Sequence, residues 1–342
     1  MRPIAAVTGG TGFLGRYFVD ALLAAGWHVR VLVRHVPSRP MPSTVELVPG
    51  DLGDEDTLSR LAEGASAVVH AAGLVKALGL ADFLAVNRDG TARLATIVAR
   101  LAPQARFVLI SSQAARAPGL SPYAASKRAA EDAVADALPA TSWVILRPCV
   151  VYGPWDVEGI ALLHLVNNPL VPVPAAPEPR IAMIHARDVA AVVVALCRPG
   201  PSGTIYEISD ACVNGHPWRE VVTVAARLLG RAPRFLPVPD PVLLAAATVA
   251  DGWAALTRRP SLFGRGKVHE ILHRDWSSDR TLQLPQAVWT PSVGLSDGLR
   301  ETIAWWRNDW LPGTAALQGA AGLATAPKHR PAVLDSSARE RG

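Results

Sequence analysis

The chain has few cysteines and no long apolar run, and both absences exclude whole classes of protein. Three cysteines, Cys149, Cys197 and Cys212, occur in 342 residues. They are too few and too scattered for a disulfide framework or a zinc site of CxxC spacing. No run of about 20 uninterrupted apolar residues predicts a membrane-spanning helix. The opening MRPIAAVTGG does not fit a signal peptide, so we expect a reduced, cytoplasmic protein.

Excess charge of either sign is also small. The chain has 34 Lys and Arg residues against 29 Asp and Glu, a formal net charge of +5. No basic stripe with interleaved aromatic side chains accompanies this surplus, so nucleic acid is not an expected partner. Hydrophobic residues make up 50% of the chain, which supplies large cores and excludes disorder throughout. The chain is about twice as long as a typical single domain of ~150 residues.

Short β-branched runs alternate with Ala- and Leu-rich segments of helical length from residue 3 to residue 148. This alternation predicts parallel strands joined by right-handed crossovers, with helices on both faces of the sheet. We therefore predict a doubly wound α/β fold of the Rossmann type. The six predicted strands are residues 4–7, 29–33, 45–48, 67–71, 107–111 and 143–147.

Proline becomes frequent after residue 150, as in NNPLVPVPAAPEPR at 167–180. Such a segment cannot continue a central parallel sheet, and it predicts the start of a smaller, C-terminal substrate lobe. The helical pattern HARDVAAVVVALC is expected to return to the first domain. The predicted organisation is a dinucleotide-binding domain of residues 1–153 and 183–200, a substrate-binding lobe of residues 154–182 and 201–312, and a disordered tail of residues 313–342.

The glycine-rich run TGGTGFLG follows the first predicted strand and opens a helix. In that position one glycine makes the turn, one lets the backbone approach a pyrophosphate, and one allows helix and strand to pack closely. Glycine-rich turns also arise for packing alone, but the strand, turn and helix context indicates a dinucleotide site. The predicted cofactor-binding residues of this run are Thr8, Gly9, Gly12, Phe13, Leu14 and Gly15.

Arg34 follows the second predicted strand, where NAD-preferring proteins carry an acid that holds the adenosine ribose. A guanidinium can pair with a 2′-phosphate, so NADP is favoured over NAD. Alternatively, Arg34 stacks on the adenine and is compatible with either cofactor.

Two further segments are predicted to contact the cofactor. Asp51, with Leu52 beside it, follows the third predicted strand, where it accepts a hydrogen bond from the adenine amine or forms an Asx turn or helix cap. After the fourth strand, the small residues Ala71, Ala72 and Gly73 let the chain pass close beneath the ribose and phosphates.

A catalytic constellation follows the fifth predicted strand. Ser112 lies near that strand's end, and Tyr123 and Lys127 are one helical turn apart in SPYAASKRAAE. The i, i+4 spacing places phenol and ammonium on one face of a helix. A free tyrosine has a pKa near ~10, and a neighbouring cation with a positively charged nicotinamide is expected to lower it. Tyr123 then exchanges a proton while hydride moves.

Together these motifs resemble the extended short-chain dehydrogenase/reductase family, which includes nucleotide-sugar epimerases and dehydratases. The resemblance extends to Trp310, and its last segment is similar to the 3β-hydroxysteroid dehydrogenase-like and dihydroflavonol reductase-like branches. It implies that Tyr123 is the general acid/base, that Lys127 binds the nicotinamide ribose, and that Ser112 orients the substrate.

The resemblance also assigns residues outside this constellation. Asn87, in NRDGT, is implied to help position the active-site helix and loop. Pro148 and Val150, in RPCVVYGP, are implied to line the nicotinamide pocket. The connection from Ser112 to Tyr123 lacks the long loop of many sugar-nucleotide members, which argues against such a substrate. We therefore expect NAD(P)-dependent interconversion of a secondary alcohol and a ketone on an apolar, sterol-, terpenoid- or polyketide-like substrate; the alternative is a nucleotide-sugar epimerase or dehydratase.

The segment 242–256 is apolar and is followed by six Lys or Arg residues against three acids in residues 258–280. It is either a lid packed on the pocket or an interfacial element that rests on an anionic membrane, and it is too short to span one. The expected partner is a small apolar substrate. Weak contact of residues 242–280 with the inner face of a membrane, and a homodimer, are two further possibilities that the sequence leaves open.

Overall fold

A seven-stranded parallel sheet organises the fold. The structure is a computed structural model and describes residues 2–37, 39–175, 177–257 and 263–311. Its strands in chain order are β1 (Ile4–Thr8), β2 (His28–Val33), β3 (Glu46–Pro49), β4 (Ala67–His70), β5 (Arg106–Ile110), β6 (Trp143–Pro148), β7 (Val150–Tyr152), β8 (Leu170–Pro174), β9 (Arg180–Ile181), β10 (Met183–His185), β11 (Thr204–Ile208), β12 (His216–Pro217), β13 (Arg234–Val238) and β14 (Asp275–Trp276).

Helices connect most of these strands. The α-helices are α1 (Phe13–Ala24), α2 (Glu55–Ala62), α3 (Leu80–Leu84), α4 (Gly90–Leu101), α5 (Pro122–Ala137), α6 (Ile160–Val166), α7 (Ala186–Leu196), α8 (Trp218–Leu228), α9 (Asp240–Thr257), α10 (Arg265–Leu272) and α11 (Leu295–Trp305). Short 3₁₀ helices cover Gln113–Arg116 and Arg280–Leu282, and π-helical turns cover Ala85–Asp89 and Trp306–Trp310. None of the helices described is both long enough and apolar enough to cross a membrane.

The main sheet has the strand order β3-β2-β1-β4-β5-β6-β11, with every neighbouring pair parallel. Successive side chains of a strand point to opposite faces, so each face has its own core. Ala5 and Val7 of β1 join the core that includes α1 and α7, whereas Ala6 joins the core that includes α2, α4 and α5. The predicted doubly wound fold is confirmed, and each of the six predicted strands ends within one residue of its observed bounds.

Strand β11 is the part of the main sheet that the sequence analysis missed. It pairs with β6 in parallel from Thr204 to Ile208, although residues 201–312 were assigned to the substrate lobe. The pattern was obscured because the buried strand carries a charged residue, Glu207. Its carboxylate is compensated by Arg116 at 3.3 Å and by the backbone N–H of Asp279 at 2.9 Å.

Smaller sheets occupy the proline-rich and C-terminal regions. β7 pairs with β10, β9 lies between β12 and β14, and β8 pairs with β13. As expected, the proline-rich segment takes no place in the main sheet; β8, α6 and α8 share a separate core. Residues 2–303 form one compact unit, and residues 304–311 belong to a second. The predicted tail 313–342 lies outside the described residues, and the remaining domain boundaries stay a prediction.

Gly15 of α1 packs tightly against the turn that follows β1. A Cβ on this residue would lie 2.6 Å from the Cα of Gly10 and closer still to the carbonyl oxygen of Gly9. We expect Gly15→Ala to lower the free energy of unfolding by roughly 1–3 kcal/mol, because overpacking displaces the backbone. Chemical denaturation measures the change.

A matched control for this substitution lies in α9. Gly252 is helical, and an added Cβ would have no neighbour within 4 Å. Gly252→Ala should therefore stabilise the protein by about 0.5–1 kcal/mol. Equal effects of the two alanines would contradict the packing argument.

Candidate active site

The glycine loop after β1 forms a cradle that side chains would fill. Gly9 has φ +72°, and a Cβ there would lie 2.7 Å from the carbonyl carbon of Ala71. Gly12 is exposed and precedes α1, whose N-terminus has no side-chain cap. Uncapped N–H groups at a helix N-terminus bind anions. Phe13 and Leu14 form the first turn of this helix, so the loop fits the pyrophosphate of a dinucleotide.

Thr8 and His70 join β1 to the chain that leaves β4. The Thr8 hydroxyl lies 2.6 Å from His70 Nδ1 and accepts a hydrogen bond from the backbone N–H of Ala72 at 3.2 Å. His70 Nε2 lies 2.8 Å from the Thr91 hydroxyl. Burial, helped by the charge of Lys127, lowers the pKa of His70 to about 3. His70 is therefore a neutral connector near pH 7, a role that its sequence context did not indicate.

The predicted adenosine-binding residues lie at the ends of β2 and β3. Arg34 follows β2 directly and is exposed. Asp51 accepts a hydrogen bond from the backbone N–H of Gly53 at 2.6 Å, which is the Asx turn that the sequence left open. Asp54, rather than Asp51, caps α2. Leu52 is partly buried in the core on that face, so contact of Asp51 with adenine stays a prediction.

A contact between two loops near α1 was missed from the sequence. The Arg39 guanidinium stacks over the Trp155 ring at 3.9 Å. Tyr17 of α1 donates a hydrogen bond to the carbonyl of Pro154 at 3.0 Å, and Arg16 donates to the carbonyls of Arg39 and Pro40. These contacts hold the segment after β2 and the segment after β7 against the first turns of α1.

The sequence around Tyr123 forms a well-capped helix. The Ser121 hydroxyl accepts from the backbone N–H of Ala124 at 3.0 Å, and Pro122 occupies the first turn, as such helices prefer. Tyr123 thereby lies in the first turn of α5, and Ser112 is close enough to its phenol to influence the phenol's pKa. One turn later, the buried Lys127 donates from Nζ to the carbonyl of Ile110 at 2.7 Å.

Burial controls the proton affinities of this pair. It raises the pKa of Tyr123 to about 12; the hydrogen bond with Ser112 lowers that pKa, and the charge of Glu270 raises it. Burial lowers the pKa of Lys127 to about 8, and the Glu131 carboxylate opposes that shift. The sequence-based expectation of a lowered tyrosine pKa is not met in the protein without its nicotinamide, because the effect of burial on that pKa outweighs the effect of Ser112. Tyr123 is a protonated acid at neutral pH.

Asn87 connects the loop after β4 to α5. Its Oδ1 accepts from the backbone N–H of Leu74 at 2.7 Å, and its Nδ2 donates to the Leu74 carbonyl at 3.0 Å. The same Nδ2 donates to the Ser126 hydroxyl at 2.9 Å. These bonds fix Ser126, which lies between Tyr123 and Lys127, relative to residues 71–74. This geometry suits the positioning role that the family resemblance implied for Asn87.

A buried ion pair supports α5 behind Lys127. Arg147 donates to both carboxylate oxygens of Glu131, from Nε at 2.8 Å and from Nη2 at 2.5 Å. Ser111 adds a third hydrogen bond to Glu131 Oε1 at 2.5 Å. The sequence analysis missed this pair, although Glu131 follows Lys127 at the i, i+4 spacing that places both on one face.

Helix α10 brings a second carboxylate to the start of α5. Glu270 accepts a hydrogen bond from the Ser121 hydroxyl at 2.5 Å. Gly266 of α10 also packs against Ser121, since a Cβ on Gly266 would lie 3.1 Å from the Ser121 Cβ. No motif in residues 265–272 pointed to this contact, because it joins positions about 150 residues apart in sequence.

The remaining predicted pocket residues lie where β6 passes into β7. Pro148 ends β6 and is buried, whereas Val150 begins β7 and is exposed. Between them, burial raises the pKa of the Cys149 thiol, and the charge of Asp210 adds to that effect. Helix α5 is thus bonded to Asn87 through Ser126 and to β5 through Lys127, and Ser112 neighbours the Tyr123 phenol, whereas the predicted adenosine residues follow the neighbouring strands β2 and β3.

This fold and glycine cradle define a dinucleotide-dependent enzyme, and comparison with known proteins identifies its family. The model of the NAD dependent epimerase/dehydratase family matches residues 5–209. The chain therefore belongs to this family, and the resemblance to extended short-chain dehydrogenases/reductases is confirmed. It is an NAD(P)-dependent dehydrogenase/reductase of that type.

Three known proteins show how similar this chain is to its relatives. A ceramide reductase of Caulobacter vibrioides is 48% identical over 316 residues, which are 91% of this chain and 97% of that protein. A 4-hydroxy-2-methyl-3-oxo-4-farnesyl-3,4-dihydroquinoline-1-oxide ketoreductase of Stigmatella aurantiaca is 28% identical over 283 residues, or 75% and 83% of the two chains. The crystal structure of dTDP-glucose 4,6-dehydratase from Bacillus anthracis in complex with NAD has a TM-score of 0.65 at 17% identity and covers 90% of this chain and 97% of that one. That last likeness shows the fold alone.

The pH dependence of ketone reduction tests the Glu131 pair. Activity that needs the charged Lys127 should fall as pH rises through about 8, since that is where Lys127 loses its proton. Glu131→Gln removes the anion that favours the charged form and leaves Arg147 unpaired nearby. The alkaline limb of kcat/KM should therefore move to lower pH by roughly one unit.

Asp132→Asn is the matched control, because Asp132 is an exposed carboxylate on the same helix. It should leave the alkaline limb in place. Circular dichroism defines the pH range in which each variant stays folded, and an unmoved limb in folded Glu131→Gln would refute the coupling.

Proposed function

We propose that this protein is an NAD(P)H-dependent ketoreductase that converts a lipid ketone of the ceramide class to its secondary alcohol. The observation that carries the proposal is Ser112 beside the Tyr123 phenol, with the buried Lys127 one helical turn further on, in a chain 48% identical to a ceramide reductase over 91% of its length. The ketoreductase relative from Stigmatella, named for a farnesylated compound, supports alcohol and ketone chemistry on an apolar molecule. A ceramide belongs to the apolar class of substrate predicted from the sequence, but it differs from the sterol-, terpenoid- and polyketide-like lipids considered there.

Reduction of a ketone requires hydride at the carbonyl carbon and a proton at its oxygen. When bound, the reduced nicotinamide supplies the hydride. Tyr123 donates its phenolic proton to the developing alkoxide, and the Ser112 hydroxyl donates a hydrogen bond to the same oxygen. Lys127, held by the carbonyl of Ile110, stabilises the phenolate that remains. The raised pKa of Tyr123 supports this direction, because the acid is in its protonated form.

The loop from Thr8 to Gly15 and the N-terminus of α1 would hold the pyrophosphate of the cofactor. We propose a preference for NADP, supported by the exposed guanidinium of Arg34 at the end of β2. No carboxylate takes that position to repel a 2′-phosphate. A cytoplasmic location is part of the proposal, and it is supported by three cysteines that are all free thiols.

A substrate panel tests the function directly. The purified protein is incubated with NADPH or NADH and a ceramide whose secondary alcohol has been replaced by a ketone, in detergent micelles. A steroid ketone and dTDP-glucose serve as competing substrate classes. Loss of reduced nicotinamide with appearance of ceramide by mass spectrometry is the expected result. Conversion of dTDP-glucose without net cofactor consumption would establish the epimerase or dehydratase alternative instead.

Tyr123→Phe removes the transferable proton and keeps the ring. We expect kcat to fall by about 100-fold or more while NADPH still binds. Lys127→Ala should reduce both turnover and cofactor affinity, since the ammonium is proposed to contact the ribose. Steady-state kinetics and calorimetric titration separate the two effects. Near-normal turnover by Tyr123→Phe would mean that another group supplies the proton.

Arg34→Ala tests cofactor choice. If the guanidinium pairs with the 2′-phosphate, the substitution should weaken NADPH binding by about 1–3 kcal/mol, the range for hydrogen bonds to charged groups. NADH binding should be nearly unchanged and serves as the internal control. Titration calorimetry with both cofactors measures the difference, and an equal loss for both would indicate stacking on adenine.

A further inference from the structure

Helix α9 exposes a continuous apolar stripe. The exposed fraction is 56% for Val242, 74% for Val249, 67% for Trp253 and 77% for Leu256. Their spacings of seven, four and three residues place them along one face of the helix. Single exposed apolar residues are ordinary on a protein surface, but a stripe of this length that includes a tryptophan marks an interaction surface.

Positive charge lies beside this stripe. Arg265 and Lys267, at the start of α10, have exposed side chains. Arg265 contacts Asp251 and Lys267 contacts Glu270, but both cationic side chains are more than half exposed, so these ion pairs are weak. An apolar face flanked by cations is complementary to the surface of an anionic bilayer.

The same two helices adjoin the candidate active site. α10 packs against α9 and reaches the start of α5 through Gly266 and Glu270, both at Ser121. Tyr123 lies two residues further along α5. α10 therefore connects the helix that exposes the stripe to the start of the helix that carries Tyr123.

We propose that α9 and the start of α10 dock on an anionic membrane surface, with Val249 and Trp253 inserted among the lipids, and that the lipid ketone enters the active site from that surface. The proposal rests on the proposed function for the identity of the substrate. The docking itself is a separate property, since it requires no turnover. A second copy of this chain or a lid function for α9 are the alternatives that the experiment distinguishes.

Sedimentation of the full-length protein with vesicles tests the docking. The vesicles are phosphatidylcholine alone or phosphatidylcholine with one quarter phosphatidylglycerol, at low and high salt. The wild type should bind the anionic vesicles at least ~10-fold more tightly than the neutral ones, and high salt should weaken binding. The double variant Val249→Ser/Trp253→Ser should lose at least ~10-fold in affinity for the anionic vesicles, since it removes the inserted apolar surface.

Leu101→Ser is the matched control, because Leu101 is an exposed apolar residue at the end of α4. It should bind vesicles like the wild type. Absence of wild-type binding, or equal binding by the double variant, would overturn the proposal. So would a wild-type dimer that the double variant dissociates in analytical ultracentrifugation without any vesicle binding, since the stripe would then be a self-association surface.

Kinetics separate this proposal from the proposed function. A short-chain, water-soluble ketone should be reduced at the same rate by the wild type and the double variant. The long-chain ketone presented in anionic vesicles should be reduced several-fold more slowly by the double variant. If neither the wild type nor the double variant reduces either ketone, the proposed function is refuted. The vesicle-binding measurement would still test the docking, because docking requires no turnover. Equal rates on the vesicle-bound ketone would refute delivery from the membrane.

Discussion

Two charged side chains of α5, Lys127 and Glu131, are buried, and each has a partner near the end of a sheet strand. Lys127 reaches the carbonyl of Ile110 at the end of β5, and Glu131 binds Arg147 on β6 through two hydrogen bonds. An unpaired charge in such a place would cost several kcal/mol. These partners therefore fix the rotation of α5 about its own axis, and that rotation decides whether Tyr123 faces Ser112.

A second set of contacts brings a distant part of the chain to the same place. The 3₁₀ helix after Ser112 holds the segment around β14, since Gln113 donates to the carbonyls of Trp276 and Ser277 at 3.1 and 2.9 Å. Arg116 binds Glu207 on β11 and the carbonyl of Ser277. The residues that follow Ser112 thus also connect the main sheet to the region proposed to select the substrate.

The features that could be predicted from the sequence are those that depend on residues close together along the chain. The six strands and the glycine loop depend on short patterns, so their positions were predicted closely. Strand β11 was missed because its charged Glu207 is compensated by Arg116, a residue about 90 positions away. The contact of Glu270 with Ser121 and the raised pKa of Tyr123 depend on burial and on long-range packing, which no spacing of residues reveals.

The state of the cysteines has a consequence for oxidative stress. Burial raises the pKa of Cys149 and of Cys197, the latter to about 12, and the pKa of the half-buried Cys212 is raised as well. Peroxides and alkylating agents react with thiolates, so thiols held in the protonated form react slowly. Cys149 lies beside residues expected to line the nicotinamide pocket, yet it offers oxidants almost no nucleophile.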